Sequence, residues 1–148
     1  MNPDIGKLNI SVIMPALNEE NNILSAIGNT LAAFDAMNIT GEVIIVNDGS
    51  TDRTSELVRL AMQKDNRIRL VTHKKHHGIG SSFWKGVGCA QGEVVVMLPG
   101  DNENDPSEIL RYYKLIEHVD MVIPFIFNKE VRSVFRNALS FIYRFIIN

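Results

Sequence analysis

Four short segments carry side chains that could do chemistry together. Three are acidic and rich in amides: Asn18-Glu19-Glu20-Asn21, Asn47-Asp48-Gly49-Ser50-Thr51-Asp52 and Asp101-Asn102-Glu103-Asn104-Asp105. The fourth, Lys74-Lys75-His76-His77-Gly78-Ile79-Gly80, is basic and contains two glycines. Carboxylates gathered on one rim repel each other and raise each other's pKa unless a cation sits among them. Hard oxygen donors of this kind suit Mg²⁺ or Mn²⁺, and Mg²⁺ usually completes its shell with substrate phosphates and water. Backbone amides and lysines of the fourth segment would meet the same phosphates. Together the four segments point to a metal-diphosphate ligand such as a nucleotide.

The elements that must position these segments follow from hydrophobic periodicity. Strands are expected at residues 10–14, 42–46, 68–72, 93–98 and 120–123. Helices are expected at 21–37, 51–64 and 81–90, from Pro106 to about Glu117, and at 130–147. In the second helix Leu57, Leu60 and Ala61 would face inward. Strand–helix alternation with near-continuous apolar strands implies an α/β fold: a mostly parallel sheet with helices on both faces. Right-handed crossovers then bring all four segments to the carboxyl edge of that sheet, where open α/β folds bind ligands. At 148 residues the chain is one domain, residues 1–148.

Composition narrows the function classes. Hydrophobic residues are 45% and charged residues 22%, the balance of a globular protein, and a net charge of −2 gives no field suited to nucleic acid. Cys89 is the sole cysteine, so neither an internal disulfide nor a zinc cage is expected, and a reducing, cytoplasmic setting is. No run of about 18 apolar residues suggests a membrane span. Familiar phosphate loops are absent: in Gly78-Ile79-Gly80-Ser81-Ser82-Phe83 a phenylalanine stands where a dinucleotide fingerprint needs its third glycine.

Ser11-Val12-Ile13-Met14-Pro15-Ala16-Leu17-Asn18-Glu19-Glu20, followed by Val46-Asn47-Asp48-Gly49-Ser50-Thr51-Asp52, resembles the opening of a family 2 inverting glycosyltransferase of the GT-A fold, a Rossmann-like nucleotide-sugar-binding architecture. Gly78-Ile79-Gly80 through Gly86, then Ala90-Gln91-Gly92-Glu93, resembles the branch that includes dolichol- and polyprenyl-phosphate sugar transferases. The resemblance implies a UDP- or GDP-linked sugar donor, a polyprenyl-phosphate or other membrane-associated acceptor, and Mg²⁺ or Mn²⁺. By position, Pro15, Asn18 and Glu19 would line the nucleotide pocket, and Asp48 would accept hydrogen bonds from the base. Gly78 and Gly80 would approach the phosphates. Asp101 occupies the second aspartate position of the family's D-x-D segment, with Pro99 at the first. Asp101 and Glu103 are the expected metal pair.

Residues 130–147 form a basic amphipathic stripe in which Arg132, Arg136 and Arg144 interleave with apolar residues, a pattern suited to a membrane interface. Arg132 and Arg136 are the candidates for holding an acceptor phosphate. The chain reads as the donor-binding half of a transferase whose acceptor-side continuation is missing, peripheral on the cytoplasmic face of a membrane. Two other readings stay open. One is a nucleotide-binding module without turnover, and the other is a domain that docks on membrane or protein through the last helix. Bland roles are assigned to Asp105 as a helix N-cap, to His118 at a helix end, and to Cys89 and Trp84 in packing.

Overall fold

The computed structural model describes residues 10–123. Four parallel strands, β1 (Ile10–Ala16), β2 (Gly41–Asn47), β3 (Ile68–Thr72) and β4 (Val94–Met97), form one sheet in the order β3-β2-β1-β4. Every residue of β1 is buried, as expected of a strand flanked on both edges; Val12 pairs with Val43 on one side and Val96 on the other. The chain steps outward from β1 through β2 to β3, then returns to the opposite edge of β1 for β4. Strand order therefore reverses between β1 and β4, and a crevice opens at the carboxyl ends of such a pair.

Side-chain alternation with period two divides the core between the two faces of the sheet. Val12, Met14, Val43 and Ile45 pack with α1 (Ile23–Met37), α2 (Thr54–Met62) and α4 (Pro106–Leu110), through residues such as Ile27, Phe34, Val58 and Leu110. Ile13, Ile44 and Val46 pack on the other face under α3 (Ile79–Val87), with Phe83 and Val87 against them. Helices thus cover both faces, and the fold is the expected α/β architecture with a parallel sheet. Phe34 is fully buried, and burial of a side chain of that size contributes roughly 1.5–3 kcal/mol. α1 ends at Asn38, whose left-handed backbone (φ 53°) lets its amide return to the carbonyls of Asp35 and Phe34. Gly86 lets α3 lie close to the sheet, because a Cβ there would collide with Ile13 and stand 3.2 Å from Val46.

Several expectations need correction. Residues 120–123 form no strand: Met121 and Ile123 are 71% and 72% exposed, and no ladder bonds reach them among the described residues. The helix expected from Pro106 to Glu117 breaks after Leu110, and a 3-10 turn follows at Tyr113–Glu117. The three-residue repeat of that turn sets Tyr113 and Ile116 together against the core, beside Ile109. In α2 the buried apolar residue is Val58, whereas Leu60 is exposed. Trp84 is 71% exposed and is not a packing residue, because Ser82, Gly86, Phe83 and Val87 form the side of α3 that meets the sheet. The expected helix at 130–147, with Arg132 and Arg136, lies outside the described residues.

Candidate functional site

The loops after β1 and β2 are joined by reciprocal hydrogen bonds. Asn18, in a left-handed conformation (φ 57°), donates its amide to Ser50 Oγ at 2.9 Å, and its Oδ1 accepts the Thr51 amide at 2.9 Å. The Glu19 amide donates to Thr54 Oγ1 (2.8 Å) and the Glu20 amide to Asp52 Oδ2 (3.0 Å). Asp52 Oδ1 in turn accepts from the amide and hydroxyl of Thr54. Burial pushes the Asp52 carboxyl pKa up, but these donors outweigh it and leave the pKa below its ordinary value. An Asn tolerates φ > 0 better than most residues, so Asn18 both turns the chain and ties the loops. Asn18 does not line the cleft described below; it holds the wall in place.

Asp48 is the most heavily bonded carboxylate of the site. Its side chain is 4% exposed. Oδ1 accepts from His73 Nδ1 at 2.8 Å and from the His77 amide at 3.0 Å. Oδ2 accepts from the Gly78 amide at 2.7 Å, with His76 Nδ1 at 2.8 Å from the same oxygen. Burial alone would raise the pKa, but the His73 contact, the two amides and His76 hold it down at about 2. Three hydrogen bonds and the His76 contact occupy most of the lone-pair capacity of an ionised carboxylate. Gly49 (φ 82°) permits the close approach of this loop to the next, since a Cβ there would stand 2.8 Å from the Lys75 carbonyl carbon. The Gly78 amide, expected to meet phosphate, is bound to Asp48 instead, and Gly80 lies in the first turn of α3, off the cleft lining.

A cleft of about 210 Å³ opens where the strand order reverses. Pro15, Ala16, Leu17 and Glu19 line it from the loop after β1, and Pro99, Gly100 and Asp101 from the loop after β4. Asp48, His76, Ile79 and Ser82 complete its wall. The two proline-bearing loops stay in register because the Leu98 amide donates to the Ile13 carbonyl (3.0 Å) and the Gly100 amide to the Pro15 carbonyl (2.9 Å). Gly100 has no room for a side chain: a Cβ would stand 2.9 Å from Ile23 Cδ1 and 3.2 Å from Ala16 Cβ. Glu19, Asp48 and Asp101, from three loops, thus face one space.

The expected metal pair is not brought together. Asp101 Oδ1 accepts the Glu103 amide at 3.1 Å, and Asn102 between them is left-handed (φ 59°). That turn carries Glu103 to a separate depression over α1, where Asn29 Nδ2 donates to Asn102 Oδ1 at 3.0 Å. Among the described residues no group of three or more His, Cys, Asp or Glu side chains is placed to hold an ion. Asp105 caps α4, accepting the Ser107 amide at 2.8 Å. Sequence reasoning missed His76, Ile79 and Ser82 as lining residues. The signal available was the pair of small residues Ser82 and Gly86, four apart on one face of α3.

Residues 11–147 match the family model described as Glycosyl transferase family 2. An undecaprenyl-phosphate 4-deoxy-4-formamido-L-arabinose transferase of Edwardsiella ictaluri is 34% identical over 112 residues, covering 75% of this chain and 34% of that protein. The chain thus spans about a third of the length of the curated relative it matches. A mannosyltransferase of Pyrobaculum calidifontis, solved with GDP-Man and Mn²⁺, superposes with a TM-score of 0.56 at 28% identity, covering 62% of this chain and 27% of that one. A glucosyl-3-phosphoglycerate synthase of Mycobacterium tuberculosis, solved with UDP, gives a TM-score of 0.56 at 27% identity, over 74% of this chain and 39% of that one.

Proposed function

The chain belongs to glycosyl transferase family 2, and on that premise we propose that its cleft holds the nucleoside-diphosphate part of a UDP- or GDP-linked sugar. The complete protein would transfer that sugar, with inversion, to polyprenyl phosphate or another membrane-associated acceptor. The observation that carries this reading is the meeting of Pro15, Glu19, Asp48 and Asp101 in one cleft at the reversal of strand order. At about 210 Å³ the cleft is smaller than the ~300–1,000 Å³ of a typical small-molecule site, so it fits part of the donor. Asp48 faces the N–H groups of the base; Asp101, from the loop on the opposite side of β1, faces the diphosphate. His76, whose side chain is exposed, is the Asp48 partner that yields to a base N–H, because His73 is far less exposed and the two amides are fixed in the chain.

The donor set suits a metal that arrives with its substrate. Two carboxylates of the cleft lining, Glu19 and Asp101, have no cationic partner among the described residues, and Mg²⁺ or Mn²⁺ needs only one or two when phosphates and water complete the shell. When bound, the ion neutralises charge on the departing diphosphate. Inversion follows if the acceptor oxygen forms its bond to the anomeric carbon on the face opposite the bond to the diphosphate that breaks. A phosphate acceptor is already anionic, so no general base is required of the chain. Arg132 and Arg136 are assigned to the acceptor phosphate, at a membrane surface on the cytoplasmic side. No helix among the described residues is long and apolar enough to cross a membrane.

Titration calorimetry with UDP and GDP, with and without Mn²⁺, tests the donor site. One nucleotide is expected to bind, more tightly with the metal. Absence of binding by both under either condition contradicts the reading. Pro99, at the family's first aspartate position, favours a second reading in which the chain binds nucleotide without turnover. Transfer of radiolabelled sugar to added polyprenyl phosphate separates the two.

A further inference from the structure

Five of the six buried polar side chains in the described residues have hydrogen-bond partners, and Ser82 does not. Ser11 Oγ donates to Glu42 Oε1 (2.7 Å) and accepts the Gly92 amide (2.8 Å). Thr30 Oγ1 returns to the Ala26 carbonyl one turn back, at 2.8 Å. Thr54 is bonded to Asp52 and Glu19, Asn47 to Ser55 and Ser50, and Asp48 to the loop after β3. Ser82 is fully buried and sits in a helix, where the bond made by Thr30 would be the ordinary outcome. Its Oγ nevertheless has no partner among the described residues, and Ser82 is one of the residues that line the cleft. The Gly78 carbonyl one turn back accepts the Ser82 amide at 3.1 Å, but not the hydroxyl. A buried hydroxyl without a partner costs about 1–3 kcal/mol, so its retention in a cleft wall calls for a ligand.

The fold indicates which part of the ligand it meets. Gly86, on the same face of α3, lies over Ile13 and Val46 in the middle and latter part of β1 and β2. One turn earlier, Ser82 therefore lies over the carboxyl ends of those strands, the side that carries Asp48. Asp101 comes from beyond β4, across β1. We propose that Ser82 is a donor-specificity residue, its hydroxyl donating a hydrogen bond to a carbonyl oxygen on the edge of the nucleobase whose N–H is accepted by Asp48. A hydroxyl donor and a carboxylate acceptor together match the adjacent C=O and N–H of a uracil or guanine edge. The inference rests on the reading of the cleft as a nucleotide site.

The test is calorimetric titration of UDP, GDP and inorganic pyrophosphate into the full chain and its Ser82→Ala and Ser82→Cys variants, alongside thermal unfolding. Ser82→Ala should weaken binding of the preferred nucleotide about 5- to 10-fold, with pyrophosphate unaffected. Its melting temperature should hold or rise, because an unpaired buried hydroxyl has been removed. Ser82→Cys, a near-isostere with a weak donor, should weaken the nucleotide in the same direction and guards against a packing artefact. Nucleotide affinity within twofold of the unaltered chain overturns the assignment, and so does an equal loss for pyrophosphate. If Asp48→Asn abolishes nucleotide binding while Ser82→Ala leaves it intact, only this inference fails. If neither nucleotide binds the unaltered chain, the donor-site reading fails with it.

Discussion

Asp48 shows how a single residue can serve both fold and site. Its carboxylate gathers two histidines and two amides from the loop after β3, so its charge organises that loop before any ligand arrives. The folded-state pKa is held at about 2, below the ordinary value of 3.8. A depressed carboxylate pKa contributes stability that is fully present above 3.8 and is lost as pH falls through about 2. Urea unfolding repeated at pH 5, 4 and 3 should show the midpoint dropping, and Asp48→Asn should flatten that part of the drop. Asp48→Asn should itself destabilise by about 3 kcal/mol, since an amide nitrogen cannot accept the donors left facing it. His76 occupies an Asp48 oxygen that the base would use, so His76→Ala should raise nucleotide affinity about threefold. A fall in affinity on that change would argue that His76 contacts the ligand itself. In saturating Mn²⁺, Asp101→Ala should weaken nucleotide binding about tenfold and Glu103→Ala should leave it unchanged. Equal effects would restore the pair that the structure separates.

At the scale of elements, α3 is the piece most sensitive to single atoms. A methyl group at Gly86 collides with Ile13, so Gly86→Ala should lift α3 from the sheet and cost about 1–3 kcal/mol, read from a lowered urea midpoint with unchanged slope. Most of this level was legible in the sequence. Apolar runs such as Val43-Ile44-Ile45-Val46 sit in β2, and the alternation of strands and helices is the one observed. What could not be read came from backbone turns and from which helix face meets the sheet. The left-handed Asn102 turns Glu103 away from Asp101, although two residues apart in sequence suggests a shared ion. Trp84 looked like a core residue by type, yet the inner face of α3 is made of Ser82 and Gly86 flanked by Phe83 and Val87, and Trp84 points to solvent. The apolar residues 121–123 are not enough for a strand, because a strand needs ladder hydrogen bonds and none reach them among the described residues.

At the scale of the molecule, the sheet order does the gathering. Because β4 returns beside β1, loops separated by more than eighty residues, at Pro15 and Gly100, are joined by a backbone hydrogen bond. The resemblance to family 2 transferases in the opening motifs, seen from sequence, is matched by the family model over residues 11–147 and by the parallel sheet. The cleft itself depended on topology as well as motifs, since Asp101 reaches it only through the β1–β4 pairing. The most direct measurement of the central claim is backbone amide NMR of the chain titrated with UDP and GDP in the presence of Mg²⁺. The account predicts that one nucleotide shifts the amides of Leu17, Glu19, Asp48, Ser82 and Asp101 together, along a single saturating curve. Shifts confined to one of the three loops, or centred on the depression at Glu103, would contradict a shared donor cleft.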